Sequence, residues 1–306
     1  MTETVYTSPL GHSPSLNIRL KPEKKWVWRV LVAAVLFVNI SYDHVGTLDH
    51  LQINGQDGRI VIARKGTVVN AYAELITNPT AGSTHMSVSQ YDWKAGDLLL
   101  ILQRETKQNR AFADSIQYEF VRVASAVCGE LELQQALRFA YERATSQVIR
   151  IPQYHTLRIK AGGELRSADW NGKTGGVIAI AADSLITVSQ GARMTVEGLG
   201  ESGDGGIIFL LSPQLLGRGE IDASGLDKPE VPYHLPDEVS LPAFAGRVEV
   251  WGERVQDLTI RTEGKGEGII SLPKTSLAAC TGAGKKIFEE SPPLPYGPMP
   301  GSNTSN

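Results

Sequence analysis

The most regular pattern of apolar and polar positions lies between Gly175 and Leu226, where one arrangement occurs twice. Each copy opens with a glycine pair, continues through short apolar strands and closes on Gly-Leu. Gly176 of the first copy corresponds to Gly206 of the second, and the phrase MTVEGL at Met194 corresponds to IDASGL at Ile221. Two copies of one β-rich unit indicate a repeat architecture.

Alternation within the unit predicts strands with one face turned inward, and Ile207 and Phe209 are predicted to face the interior of the second copy. A third copy begins at Gly246, and a fourth opening follows at Gly268. Upstream, a lead-in unit is indicated by the apolar residues Leu157, Ile159 and Leu165. Each unit is too small to bury its own apolar face, so the units should stack as a solenoid with glycines at the corners. An ordinary antiparallel sandwich of similar strands is the alternative.

The predicted fold class is all-β, a mixed β module followed by a short β-solenoid of about three to four rungs, with extended arms at both ends. The boundaries follow the changes in composition: an N-terminal arm (1–25), the mixed β module (26–152), the solenoid repeats (153–272) with a Pro-rich insertion (227–243), and an extended tail (273–306).

Within the mixed module, alternating or apolar runs predict strands at Val68–Ile76, His85–Ser89, Asp97–Gln103 and Tyr118–Ala126. Two further alternating runs, 48–53 and 59–63, flank the turn phrase NGQDG and predict a β-hairpin. The segment Glu130–Thr145 is ambiguous, because its apolar residues fit one helical face and also alternate in part. The pattern by itself slightly favours a helix.

The phrases AGSTHMSV, GDLLLI, VIRIPQYHTLRI, WNGKTGGVIAI and MTVEGLG follow one another in this order between Gly66 and Gly206. This order resembles a β-rich N-terminal module of bacterial secreted and cell-surface adhesin-like proteins, and also tail-fibre-like virion proteins. The resemblance implies that Glu130–Thr145 is a β-hairpin, which we adopt over the helix. A glycine-rich tract usually follows the last phrase in such proteins, but here only ESGDGG does.

Composition narrows the function classes. The net charge is −3 with 21% charged residues, which leaves no basic footprint for nucleic acid. Cys128 and Cys280 form neither a CxxC pair nor a metal-ligand spacing. Two buried free thiols are predicted, and a disulfide between them stays open.

An apolar run, Val30–Val38, follows Lys24 and Lys25 and superficially resembles a signal peptide. It is much shorter than the roughly 18 to 20 residues that span a bilayer. We interpret it as a buried strand or short helix, with a signal or anchor as the alternative, and expect no membrane span. Trp26 and Trp28 beside this run are candidate docking residues, and the arms are expected to become ordered on assembly.

No phosphate-binding loop, GxSxG elbow or HExxH motif occurs, and the six histidines are scattered. Hence no catalytic, cofactor-binding or metal-binding residue is predicted, and no cofactor. Glu197 and Asp222 lie on neighbouring units, as the carboxylates of a polysaccharide-degrading β-helix would. The repeat alignment places them in different columns, which predicts separate solvated side chains.

The Pro-rich insertion is predicted to be a surface loop, and its candidate interaction residues are Tyr233, His234, Asp237 and Glu238. Together these patterns favour a non-enzymatic structural or adhesion protein of an extracellular appendage, a virion or a cell surface. Expected partners are other copies of the chain, neighbouring structural proteins and surface glycan. The alternative is a polysaccharide lyase or hydrolase on a β-helix.

Overall fold

The computed structural model describes residues 48, 51–90, 92–104, 116–169, 171, 174–197, 204–226, 245–264, 268–273, 277–281 and 285–288. All of them belong to one compact unit, His44–Asn306. The predicted N-terminal arm, Trp26, Trp28, Val30–Val38 and the insertion 227–243 lie outside the described residues.

The described chain is almost entirely β-structure. Its strands are β1 (Arg59–Ile62), β2 (Ala71–Glu74), β3 (His85–Ser87), β4 (Leu98–Gln103), β5 (Gln117–Val127), β6 (Glu130–Leu133), β7 (Ser146–Ile151), β8 (Gln153–Ile159), β9 (Glu164–Arg166), β10 (Val177–Val188), β11 (Arg193–Thr195), β12 (Ile207–Leu211), β13 (Gln214–Gly217), β14 (Glu220–Asp222), β15 (Arg247–Trp251), β16 (Arg254–Arg261), β17 (Ile269–Leu272), β18 (Leu277–Thr281) and β19 (Lys285–Phe288). No described helix is long and apolar enough to cross a membrane.

Parallel strands stack into a three-column β-solenoid, which confirms the predicted fold class. The first column contains the first half of β10, then β12, β15, β17 and β19. The second contains β1, most of β8, the second half of β10, β13 and the start of β16. The third contains β9, β11, β14, the end of β16 and most of β18.

The register of the columns follows the sequence repeat. Val177 pairs with Ile207, which extends the alignment of Gly176 with Gly206, and Met194 pairs with Ile221. The pairing is parallel throughout this stack, so the sandwich alternative does not describe these strands. The parallel stack begins at β1, within the predicted mixed module, and continues past residue 272 through β18 and β19.

The solenoid core is formed by one side chain row from each column, including Ile208, Leu210, Leu215 and Ile221. Ile207 and Phe209 were predicted to share this core, and that prediction is wrong. They point the opposite way and pack against the antiparallel sheet. Strands of the first column are buried on both faces, so apolar alternation could not distinguish inside from outside there.

The second sheet is antiparallel, in the order β2-β7-β4-β5-β6-β3, and the bridge between Leu75 and Val88 brings its two end strands together. One face packs on the first column, where the Phe120 ring lies 5.8 Å from the Phe209 ring. The other face has its own core, which includes Leu99, Ile101, Val121, Leu137 and Tyr141.

The predicted hairpin between 48–53 and 59–63 is wrong for the residues that the structure describes. β1 pairs in parallel with β8 and so completes a solenoid rung. The preceding segment is held by the Arg122 guanidinium, which donates hydrogen bonds to the carbonyls of Leu51 and Gln52. An apolar strand gains more by closing the end of a parallel stack than by forming an isolated hairpin.

Segment Glu130–Thr145 contains no helix. The resemblance implied a β-hairpin over this segment, but only β6 is a strand there. It pairs with the preceding β5, and residues 134–145 are turns and loop. Leu137 and Tyr141 nevertheless lie in the core, which explains the helix-like spacing. The prediction of a buried thiol is wrong for Cys128, which is exposed in the hairpin turn with φ of 50°.

Corner glycines are required chiefly by close stacking of the rungs. A Cβ on Gly246 would lie 2.2 Å from the carbonyl oxygen of Gly206, and one on Gly217 would lie 1.9 Å from that of Val188. Gly217 also has φ of +137°, which disfavours other residues. The glycine repeat in the sequence therefore marks where successive rungs touch.

Candidate functional site

A cleft of about 430 Å³ runs across the rungs where the second column turns into the third. Its walls come from the turns after β1, β8, β10 and β13 and from the end of β16. Glycines keep these turns low, and the charged residues of the lining are Lys65, Glu164, Arg193, Arg218, Glu220 and Arg261. Half of its lining residues are charged.

The central charges of the cleft occupy one row of the third column. Glu164 pairs in register with Arg193, Arg193 with Glu220, and Glu220 with Thr259. The next residue of each strand, such as Met194 or Ile221, points into the solenoid core. Alternation therefore turns this row towards the solvent, and the parallel register brings opposite charges next to each other.

Arg193 joins the two carboxylates that the sequence suggested. Its guanidinium donates a hydrogen bond of 2.7 Å to Asp222 Oδ2 and another to Glu197 Oε2. The Asp222 side chain is only 2% exposed, so the prediction of two separate solvated carboxylates is wrong. The alignment placed the two backbones correctly in different rows, but the long Arg193 side chain reaches both.

The ion pair keeps Asp222 ionised. Burial alone would raise the pKa of the Asp222 carboxyl, but hydrogen bonds from Ser224 and from Arg193 outweigh burial and hold that pKa below its ordinary value. The same contacts raise the pKa of Arg193 despite partial desolvation. Asp222 is therefore a fixed anion at neutral pH and a poor proton donor.

A second ion pair lies on the next rung. Arg261 Nη1 lies 3.2 Å from Glu220 Oε1, and both side chains are partly exposed. Glu164 accepts a hydrogen bond of 3.3 Å from the backbone of Gly66. Most carboxylates of the cleft thus already have a basic or backbone partner, whereas Lys65 and Arg218 have no ion pair among the described residues.

Two other polar clusters lie away from the cleft. Arg150 contacts both Asp57 (2.8 Å) and Asp97 (2.9 Å), which ties the loop before β1 to the antiparallel sheet. His155 Nδ1 lies 2.6 Å from Asp183 Oδ1 at the corner between the first two columns. Every carboxylate of these two clusters is paired with Arg150 or His155, so we assign the clusters to structure.

A buried carboxylate, Glu249, lies between the solenoid and the antiparallel sheet. It accepts hydrogen bonds from Tyr118 Oη (2.8 Å) and Trp251 Nε1 (3.2 Å), and Arg247 forms an ion pair with it. Burial and this carboxylate raise the pKa of Tyr118 far above its ordinary value. The cluster fixes the two sheets to each other and opens to no cleft.

The other predicted site residues are not located by the structure. Tyr233, His234, Asp237 and Glu238 lie outside the described residues, as do Trp26 and Trp28. Within the described part of the chain, no group of three or more His, Cys, Asp or Glu side chains is arranged to hold a metal ion.

Sequence reasoning missed Arg193, Glu220 and Arg261. The signal was present in the repeat itself, since the residue before each inward Leu165, Met194 and Ile221 is charged, with alternating sign. A comparison of the residues at equivalent positions of the aligned units would have identified this row of charged residues.

No protein-family model matches the chain, and no curated protein matches it. Among solved structures, it is similar to the gp54 tailspike of Acinetobacter baumannii bacteriophage AP22, solved in complex with A. baumannii capsular saccharide (12% identity, TM-score 0.29, 70% of this chain and 39% of that one). It is also similar to the tailspike gp49 from Pseudomonas phage LKA1 (11% identity, TM-score 0.27, 70% of this chain and 44% of that one). A third similar structure is the Pseudomonas phage phi297 tailspike gp61 (11% identity, TM-score 0.25, 74% of this chain and 50% of that one). The chain spans half or less of the length of each.

Proposed function

We propose that the chain is a non-enzymatic scaffold and adhesion protein of an extracellular assembly, either a cell-surface adhesin module or a tail-fibre, baseplate or decoration component of a virion. The observation that carries this proposal is that carboxylates in and beside the cleft are paired with arginines. Arg193 binds Glu197 and Asp222, which lie beside the cleft, and Arg261 binds Glu220, which lines it. This pairing supports a structural role, because a carboxylate held by an arginine is a poor proton donor.

The architecture supports a mechanical role. One apolar core continues from Ile62 through every column to Leu272. In such a stack each rung contacts only its neighbours, so the solenoid suits a spacer whose side faces repeat from rung to rung. The antiparallel sheet covers the first column, which leaves the second and third columns as the faces that other molecules could contact.

The alternative is a polysaccharide lyase or hydrolase that acts in the cleft. A hydrolase needs one carboxyl with a raised pKa as general acid and a second carboxylate as base or nucleophile. Asp222 has the opposite pKa shift, and Arg193 already neutralises it. The observation that keeps the alternative open is that two carboxylates, Glu164 and Glu220, line the same cleft of about 430 Å³.

Partners of a scaffold of this kind would be further copies of the chain or neighbouring structural proteins, with a glycan as ligand. To test the location, antibodies against the chain are used in immunogold electron microscopy of intact producing cells and of released particles. We expect label on the outer surface of cells or particles. Label confined to the cytoplasm would contradict the proposal.

To test the enzymatic alternative, the purified chain is incubated with surface polysaccharide from those cells or their hosts, and product size and new reducing ends are measured. We expect intact polymer. Cleavage that is lost in Glu220→Gln but kept in the exposed-site control Glu142→Gln would make the cleft an active site and our proposal wrong.

A further inference from the structure

The second column has a sheet face opposite the solenoid core on which no other strand of the described residues packs. Its outward positions on five successive rungs are Arg59 and Val61, Thr156 and Arg158, Leu185 and Thr187, Gln214 and Leu216, and Arg254 and Gln256. The intervening residues, such as Leu157, Ile186 and Leu215, are buried. We call these outward residues the second-column face, and none of them is acidic.

Positive charge accumulates on this face and on the adjoining corner. Three arginines of the face and four basic residues of the turns towards the third column are all exposed: Arg59, Arg158 and Arg254, then Arg64, Lys65, Lys160 and Arg218. No ion pair joins any of the seven to an acidic side chain of the described residues. Acidic residues border this surface at Asp57, Asp183, Glu220, Glu253 and Asp257. The first three pair with Arg150, His155 and Arg261, which are not among the seven cations.

This surplus contrasts with the neighbouring column and with the whole chain. In the third column Arg193 and Arg261 are neutralised by carboxylates of adjacent rungs, and the chain as a whole has a net charge of −3. The three arginines of the face are spread along it: Arg59 and Arg158 lie on adjacent rungs in different rows, and Arg254 lies at the far end of the face. A polymer with negative charges along its length would contact these separated cations one after another.

The side chains between the cations indicate which polyanion fits. Thr156, Thr187, Gln214 and Gln256 are neutral hydrogen-bonding groups that suit sugar hydroxyls. The face carries no aromatic side chain, whereas proteins that bind single-stranded nucleic acid stack bases on aromatic rings. We propose that the second-column face binds a linear acidic polysaccharide whose chain runs along the stack of rungs. This inference rests on the proposed function, which it deepens by naming the ligand class and the face.

The test measures binding of fluorescent polygalacturonate to the purified full chain by anisotropy at low salt, with neutral dextran and single-stranded DNA of similar length as comparison probes. The variant Arg158→Gln with Arg254→Gln removes two cations of the face. Its matched control, Lys94→Gln with Arg143→Gln, removes two exposed cations of the antiparallel sheet region. Circular dichroism confirms that both variants are folded.

We expect polygalacturonate to bind, dextran not to bind, and binding to weaken as salt rises because the contacts are exposed. Because each exposed ionic contact is individually weak, the face variant should bind about five- to tenfold more weakly, and the control within about twofold of wild type. Absence of polygalacturonate binding, an equal loss in the control, or tighter binding of DNA would each overturn the inference.

Failure of this inference is distinguishable from failure of the proposed function. Polygalacturonate recovered from the binding reaction is sized by gel filtration. Intact polymer without binding overturns only the acidic-glycan face, whereas shortened polymer would contradict the non-enzymatic role whether or not the face variant binds.

Discussion

The side-chain amide of Asn70 takes the place of a neighbouring strand beside Ala179. Its Nδ2 donates to the Ala179 carbonyl at 2.7 Å, and its Oδ1 accepts from the Ala179 amide at 3.2 Å. Gln147 makes the same two contacts with Gly175, at 3.1 and 2.9 Å. Two amide side chains beside the antiparallel sheet thus cap the first strand of the first column, whose backbone groups would otherwise lack partners.

Removing this cap should destabilise the whole fold. Asn70→Leu keeps the approximate volume but leaves the N–H and C=O of Ala179 buried without partners, at a cost of about 2 to 4 kcal/mol. The control Asn54→Leu changes an exposed loop residue and should cost less than about 1 kcal/mol. Urea unfolding followed by tryptophan fluorescence measures both, and equal midpoints for the two variants would show that the cap is not needed.

Adjacent residues of β13 test the inward and outward faces of the second column. Leu215 lies in the core and Leu216 on the outward face. Leu215→Asp places an unpaired charge in an apolar core, and its cost of several kcal/mol is comparable to a domain's total stability of about 5 to 15 kcal/mol. We expect no folded Leu215→Asp protein, and a cooperative melt close to wild type for Leu216→Asp. Two folded variants would refute the assignment of the faces.

The solenoid could be predicted from sequence because its repeat has two independent markers. Close stacking requires glycine at positions such as Gly217 and Gly246, and the period-two alternation marks the inward row. Pairing of β1 with β8 could not be predicted, because no second copy of a phrase links Arg59–Ile62 to the repeat. The two-sided burial of β12 was also hidden, since it depends on a separate sheet that covers this column.

Part of the candidate site could be predicted from the sequence. Alignment of the units placed Asp222 opposite Thr195, as the structure does, but it did not show that Arg193 would reach two carboxylates. The reach of a side chain across rungs depends on its rotamer and on the height of the neighbouring turns, neither of which the repeat pattern shows. The row of alternating charge is visible in sequence only after the register is known.

Cys128 offers a test of the hairpin between β5 and β6. It has φ of 50° and the following Gly129 has φ of 83°, which matches a two-residue turn with both φ angles positive, usually formed by Asn-Gly. Cys128→Asn should therefore raise the free energy of unfolding by a few tenths to about 1 kcal/mol. The exposed thiol should also react with Ellman's reagent in the folded wild type. Slow labelling that requires denaturant would contradict its exposure.

The Asp222 and Arg193 pair gives a prediction with a defined pH dependence. The pKa of Asp222 is lowered in the folded chain, so its ionised form is stabilised by folding. The stabilisation is complete above the unfolded pKa of about 3.9 and is lost as pH falls through the lower folded value. Asp222→Asn should cost about 1 to 3 kcal/mol at pH 6, since a hydrogen bond to a charged group is removed.

The matched control is Asp169→Asn, because Asp169 pairs with Arg166 but its side chain is 77% exposed. Exposed pairs contribute little, so the control should stay within about 0.5 kcal/mol of wild type. Chemical unfolding at pH 6 and at a series of lower pH values measures both. The difference in the free energy of unfolding between wild type and Asp222→Asn should become smaller below about pH 4. If this difference in the free energy of unfolding stays unchanged down to pH 2, Asp222 acts through packing and not through its charge.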